Sequence, residues 1–223
     1  MIEDKKVSLV LPCYNEEAGL WSILKKDLSF IDEIVVIDNN STDRTAEIAN
    51  KFNCIVVKEE KRGYGAAYKA GFKKVTGDII IAIDGDGTYP IEEAGQLIEK
   101  LLDTGSDFIS GNRFARGKPK TMPLINYLGN RLFTLITKLL FIRNIKDSWS
   151  GMWIFRREVL DKINLQSDGM ALSQEIKIEV YLKKYKLAEF PISYHERKGK
   201  VKLRRFRDGF GALLFLIKKK KAA

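Results

Sequence analysis

The sequence predicts one α/β domain built on a mostly parallel central sheet with helices on both faces. Three observations carry that expectation. Strand-like and helix-like patterns alternate four times before residue 104, the rhythm of parallel strands joined by helical crossovers. Residues 79–83 read Ile-Ile-Ile-Ala-Ile, an unbroken apolar run suited to a strand covered on both sides. The 223 residues suffice for one good-sized core.

Residues 7–11 read as the first strand, ended by Pro12. Leu20, Trp21, Ile23 and Leu24 then mark a helix, with Glu16 and Glu17 matched to its positive end. This turn lacks a glycine fingerprint, which excludes a dinucleotide site of the usual kind. Residues 33–37 form the second strand, and the turn formers Asp38 to Asp43 lead into a helix over 44–52. A third strand over 54–57 is followed by a polar loop, 58–65, and a helix over 66–75. In that loop Gly63 and Gly65 are expected to present backbone N–H groups beside Lys61 and Arg62. The central strand, 78–83, stops at Asp84-Gly85-Asp86-Gly87-Thr88. A helix over 91–103, a strand over 107–110, a basic loop over 114–123 and an apolar helix over 125–142 come next. Residues 152–155 suit a strand or extended piece, 156–160 open a further helix, 173–185 form another, and a strand lies near 187–192. Residues 206–221 suit an amphipathic helix.

The chemistry concentrates where the central strand ends. Asp84 and Asp86 alternate, so extended backbone would carry both on one side, and Gly85 lets the chain pass close to a ligand. Two such carboxylates repel unless a cation lies between or beside them. Oxygen ligands select Mg²⁺ or Mn²⁺, with a substrate phosphate completing the shell. The plain alternative is an Asp-Gly turn between strand and helix.

Composition is that of a folded soluble protein, 45% hydrophobic and 30% charged. The 39 Lys and Arg against 29 Asp and Glu give +10, which favours anionic partners. Much of the surplus lies between residues 197 and 221, where Asp208 is the sole acid. No run approaches the ~20 apolar residues needed to cross a bilayer. With no signal-peptide pattern and no zinc spacing, Cys13 and Cys54 are expected to be free thiols in a reducing compartment.

Taken in order, Pro12-Cys13-Tyr14-Asn15-Glu16, Asp38-Asn39-Asn40-Ser41-Thr42-Asp43, Gly63-Tyr64-Gly65-Ala66-Ala67, Asp84-Gly85-Asp86, Ser110-Gly111-Asn112-Arg113-Phe114, Asp147 with Ser150-Gly151, Phe155-Arg156-Arg157, and Glu196-Arg197 with Lys202-Leu203 resemble a family 2 inverting glycosyltransferase of the GT-A fold. The likeness covers nearly the whole chain and is nearest the polyprenyl (dolichyl) phosphate mannose or glucose synthase branch. It implies that Pro12, Tyr14, Asn15, Glu16, Ile37, Asp38 and Asn39 hold the base and ribose of a nucleotide sugar of the GDP-mannose or UDP-glucose type. Asp84 and Gly85 would touch ribose or sugar, and Asp86, with Asp84, would bind Mg²⁺ or Mn²⁺ at the diphosphate. Arg113, Arg197 and Lys202 would add fixed positive charge around the diphosphate and the incoming phosphate. Asn39 stands where the family commonly has a second Asp, Thr88 where mannose synthases often supply an amide, and Val201 where a Ser is expected. Met122 replaces an acceptor-binding Arg, so Asn126, Arg131, Lys118 or Lys120 would take the acceptor.

A lipid monophosphate acceptor, already mostly ionised near neutrality, needs orientation and cations more than a strong base. A sugar or protein hydroxyl would require a carboxylate base, for which Glu175 and Asp147 are the candidates. The abundance of Arg and Lys after residue 113 favours the phosphate. The lipid tail would lie along the apolar helix and Leu213, Leu214, Phe215 and Ile217. The expected architecture is a catalytic domain over 1–203 and a basic amphipathic tail over 204–223. The tail would rest on an anionic membrane surface at the cytoplasmic face, directly or through a membrane-anchoring partner protein, with no nucleic acid as partner. Two other classes compete: a haloacid dehalogenase-like phosphatase with Asp84 as nucleophile, and a non-catalytic basic module binding membrane or nucleic acid.

Overall fold

The computed structural model describes residues 4–202 and 205–222, without the side chains of 205, 206 and 222. Leu203 and the boundary expected between 203 and 204 lie outside the described residues. In chain order the elements are β1 (Val7–Cys13), α1 (Glu17–Leu24), β2 (Glu33–Asp38), α2 (Thr45–Lys51), β3 (Ile55–Lys58), α3 (Tyr64–Phe72), β4 (Ile79–Ala82), α4 (Ala94–Asp103), β5 (Phe108–Asn112), α5 (Leu124–Leu140), β6 (Trp153–Arg156), α6 (Leu172–Leu182), β7 (Leu187–Pro191) and α7 (Arg205–Ala222). Short 3₁₀ turns cover Ile91–Glu93 and Arg157–Asp161. The second stands where a helix from 156 was expected, too short a stretch to repay helix nucleation.

The strands form one seven-stranded sheet in the order β3-β2-β1-β4-β6-β5-β7. β1 pairs in parallel with β2 and β4, β2 with β3, and β5 with β7, while β6 runs antiparallel between β4 and β5. The mostly parallel α/β sheet expected from the sequence is therefore present.

Alternation along the strands divides the core between two faces. Val7, Leu9 and Leu11 of β1 and Ile79, Ile81 and Ile83 at β4 pack with Leu20 of α1, Ile48 of α2 and Leu97 of α4. Val10, Ile80 and Ala82 point the other way, against Tyr68 and Phe72 of α3 and Leu172, Ile176 and Val180 of α6. A smaller cluster unites Ile142, Ile145, Ile178 and Leu216, and so seats α7 beside α5 and α6.

Candidate functional site

The parallel strands end together, which gathers a polar crevice at their C-terminal edge. Register sets Pro12 beside Ile37 and Cys13 beside Asp38. The Gly85 N–H reaches the Pro12 carbonyl at 3.4 Å. A Cβ at Gly85 would lie 2.4 Å from Cys13 Sγ, so only glycine lets the chain after β4 pass this close to β1. The expected sharing of one side by Asp84 and Asp86 is corrected here. The backbone turns at 85 and 86, and the two carboxylates meet different partners.

Asp84 faces α3. Its Oδ1 accepts the Tyr68 hydroxyl at 3.1 Å, and Tyr64, itself 3.3 Å from Ser173 Oγ, is a second hydroxyl partner. Burial and then the nearby Asp86 charge raise its pKa to about 7, against the two tyrosine hydrogen bonds. On the other side a Cβ at Gly151 would stand 2.8 Å from the Tyr64 hydroxyl and 3.1 Å from both Asp84 oxygens. Asp84 is thus held in a cage closed by a glycine.

Asp86 is buried. Its Oδ1 accepts Thr88 N at 2.9 Å and Thr88 Oγ1 at 2.6 Å, and its Oδ2 pairs with Arg197 Nη1. Arg197 Nη2 pairs with Glu16 Oε1, which also meets Lys202 Nζ at 2.7 Å. Lys202 reaches the Asn15 carbonyl at 2.5 Å as well. Burial raises the Glu16 pKa, and Lys202 and Arg197 oppose the shift. Glu16 Oε2 is buried with no hydrogen-bond partner. The segment carrying these cations crosses the strand ends as a strap. His195 N donates to the Thr88 carbonyl and Lys198 N to that of Asp86, each at 2.9 Å. His195 itself pairs with Glu92 at 2.9 Å, away from the carboxylates.

Other expected residues are committed to the scaffold. Asn39 Nδ2 donates to the carbonyls of Glu59 and Lys61, and its Oδ1 accepts Gly63 N, all at 2.8 Å. Gly65 N and Ala66 N donate to the Asp168 carbonyl at 2.9 and 3.2 Å. The glycine-loop N–H groups are therefore already occupied, which corrects the expectation that they stand open. Ile37 is fully buried, and Asp38 Oδ1 accepts Ser41 N at 2.9 Å. Tyr14 carries Arg62 over its ring at 4.8 Å and Lys202 at 6.0 Å.

Arg113, just past β5, makes a buried fork with Asp147. Nε and Nη2 each bond the carboxylate at 2.8 Å, and Nη2 also bonds Asn130 Oδ1 at 3.0 Å. Its guanidinium lies 5.2 Å from the Phe114 ring and 5.4 Å from that of Tyr194. Burial alone would raise the Asp147 pKa, but the Arg113 charge outweighs it and holds the carboxyl below its ordinary value. Nη1 makes no hydrogen bond among the described residues, which leaves its donors available to an anion.

Asn130 lies on α5, whose other side is bare. Leu124, Ile125, Leu128, Leu132, Leu135 and Leu139 are between 52% and 77% exposed, a helical stripe. Arg131 and Lys120 are exposed beside it and Asn126 is partly buried. Glu175 and Asp147, the two candidate bases for a hydroxyl acceptor, are fully buried. Glu175 accepts Gln166 N and Ser167 N at 2.9 and 2.8 Å and pairs with Lys219. Both carboxylates are thus engaged with partners inside the scaffold. Sequence reasoning missed Tyr64 and Tyr68 as partners of Asp84. The signal was their i, i+4 spacing, which puts two hydroxyls on one helical face.

A divalent cation fits this donor set only with help from a ligand. Among the described residues no group of three or more His, Cys, Asp or Glu is arranged to hold a metal. Mg²⁺ and Mn²⁺ sites are commonly made of one or two carboxylates plus substrate phosphates, however. The unpartnered Glu16 oxygen shows that acceptor capacity exceeds the cations that the strap supplies.

Residues 8–164 match the family model described as Glycosyl transferase family 2. A hexosyltransferase of low-salt glycan biosynthesis from Haloferax volcanii is 34% identical over 95% of this chain and 53% of its own length. A dolichyl-phosphate hexose transferase of the same organism is 35% identical over 91% of this chain and 89% of its own. A dolichol-phosphate mannosyltransferase from Pyrococcus furiosus is 32% identical over 89% of this chain and 59% of its own. The chain thus spans about half of the first relative and most of the second. Glucosyl-3-phosphoglycerate synthase from Mycobacterium tuberculosis, solved with UDP, superposes with a TM-score of 0.80 at 20% identity, over 98% of this chain and 81% of that one. The same enzyme solved with Mn²⁺, UDP and phosphoglyceric acid gives 0.77 at 21%, over 97% and 79%. At that identity the likeness shows the fold.

Proposed function

The chain belongs to glycosyl transferase family 2, and from that premise we propose that it moves a hexose from a nucleotide sugar to a polyprenyl (dolichyl) phosphate. The observation that carries the acceptor is the position of α5. One side of this helix bonds Arg113 through Asn130, and the other is the bare apolar stripe. A lipid lying along the stripe would meet Arg131 and Lys120, exposed beside it, and its phosphate would have to pass around the helix to reach Arg113 on the other side. Such a phosphate attacks as an anion and needs no base, in keeping with the engagement of Asp147 and Glu175 elsewhere. The names of relatives acting on dolichyl phosphate support the same acceptor.

The donor would lie across the ends of β1, β2 and β4, its base near Tyr14 and the Pro12 and Ile37 backbone, its ribose near Asp38. Asp84, fixed by Tyr64 and Tyr68, would orient the sugar. Arg197 and Lys202 would follow the diphosphate, since both already pair with carboxylates at its expected place. A divalent cation held by Asp86 and Asp84 would supply the positive charge that steadies the departing nucleoside diphosphate. Among the described residues no helix is long and apolar enough to cross a membrane. The α5 stripe and the basic α7 are proposed to rest on the membrane surface that holds the acceptor. The phosphatase reading falls with family membership.

The test is a thermal-shift panel of UDP and GDP sugars with and without Mn²⁺, followed by transfer to a short polyprenyl phosphate and to the matching polyprenol. Transfer to the phosphate alone is expected. Equal transfer to the alcohol, or none to either, overturns the acceptor reading.

A further inference from the structure

Lys177 on α6 is completely buried, a rare place for an ammonium. Its Nζ donates to three backbone carbonyls, those of Asp147 at 3.0 Å, Ser148 at 3.0 Å and Ser150 at 2.9 Å. Three acceptor-only partners match the three protons of the charged form, whereas a neutral amine has two. Burial pushes the group down to about 7, while Asp147 on the loop and Glu189 on β7 favour the charge and Arg113 opposes it. The loop so gripped is the wall of the site. Its Asp147 aims Arg113. Its Gly151 N donates to the Tyr89 hydroxyl at 2.6 Å, and Gly151 closes the cage around Asp84. No transferase chemistry requires a lysine here, and an apolar residue of similar volume would avoid the cost of burying a charge.

We infer that Lys177 is a positioning residue, whose three bonds to the 147–150 carbonyls fix, through Asp147, the orientation of Arg113. The inference rests on the proposed transferase reading only for its kinetic consequence. Its structural consequence is that Arg113 loses a unique orientation when the ammonium is removed.

The experiment compares the parent chain with Lys177→Met, Arg113→Ala and the double variant. Lys177→Met is expected to stay folded, to keep the donor KM, and to lose about 10²-fold in kcat, the scale of a ~1 Å misplacement. The double variant should be no slower than Arg113→Ala alone, because both changes remove one aimed cation. Lys177→Arg, which keeps charge and donors, should recover part of the lost rate. In parallel, the Arg113 Nε–H resonance, assigned by its loss in Arg113→Ala, should be sharp in the parent and broadened or shifted in Lys177→Met. Should Lys177→Met fail to fold, Lys177→Gln carries the same expectations at smaller amplitude. An unchanged kcat, losses that multiply in the double variant, or an unmoved Arg113 resonance overturns the inference. If the parent transfers no sugar, the transferase reading fails, and the resonance still decides the role of Lys177.

Discussion

Replacing Asp147 by Asn tests whether the buried fork to Arg113 is as costly to break as its geometry demands. The carboxylate is fully buried and takes bonds from Arg113 N at 3.1 Å and from Nε and Nη2 at 2.8 Å. Asn keeps one acceptor oxygen but not the charge, and Arg113 cannot shed its proton. Removing one partner of a buried pair costs about 3–5 kcal/mol, a large part of a total stability of about 5–15 kcal/mol. For a domain of this size each kcal/mol moves Tm by about 2–4 °C, so a fall of about 6–20 °C is expected. The assay is urea unfolding at several pH values. Because Arg113 holds the Asp147 pKa below its ordinary value, the unfolded chain binds the proton more readily. The stabilisation is then full above the ordinary carboxyl value of about 4 and is lost as pH falls through the folded pKa. The gap between parent and Asp147→Asn should therefore narrow in acid. A gap below about 0.5 kcal/mol at neutral pH, within the range of ordinary surface changes, would refute the reasoning, as would a gap equally wide at the acid end.

Three other outcomes are expected. Asp86→Asn should abolish the Mn²⁺-dependent part of the thermal shift given by a nucleotide sugar; a parent-like response to metal would remove Asp86 from the cation site. Changing Leu128, Leu132 and Leu135 of α5 to Ser should lower binding to phosphatidylglycerol vesicles while altering stability by about 0.5 kcal/mol or less per site, as for surface positions; undiminished vesicle binding would show that this stripe is not the contact. Lys219→Met should cost about 1–3 kcal/mol by stripping its cation from the buried Glu175 and from Glu179, 2.7 Å away; a neutral result in chemical unfolding would mean that the backbone donors at 166 and 167 satisfy Glu175 unaided.

The strand that ends at the carboxylates was legible because a covered parallel strand must be apolar throughout, and a polar break marks its exit into the crevice. The first three βα units were legible for the same reason, since each carries its own periodicity. The strand expected at 152–155 is present as β6, but its antiparallel pairing with β4 and β5 was not legible, because that pairing is decided by chain closure, to which local pattern is blind. Arg113 stood out as a cation, but its fork to Asp147 joins residues 34 apart, and no spacing rule connects them. Lys177 hid in a helix of mixed composition, where a lysine ordinarily lies on the solvated side. Every residue from Leu172 to Val180 is buried, a fact of tertiary packing that makes the ordinary assumption fail.

The order of strands also constrains how the chain comes together. β5 finds its ladder partners, β6 and β7, only in later sequence, and the outer edge of β4 is covered only by β6. During synthesis the first half can assemble β1 to β4 as residues emerge, yet β4 then offers a naked Ile-Ile-Ile-Ala border until Trp153 arrives. A nascent chain ending before that tryptophan would present this border to its neighbours, the kind of template on which polypeptides aggregate.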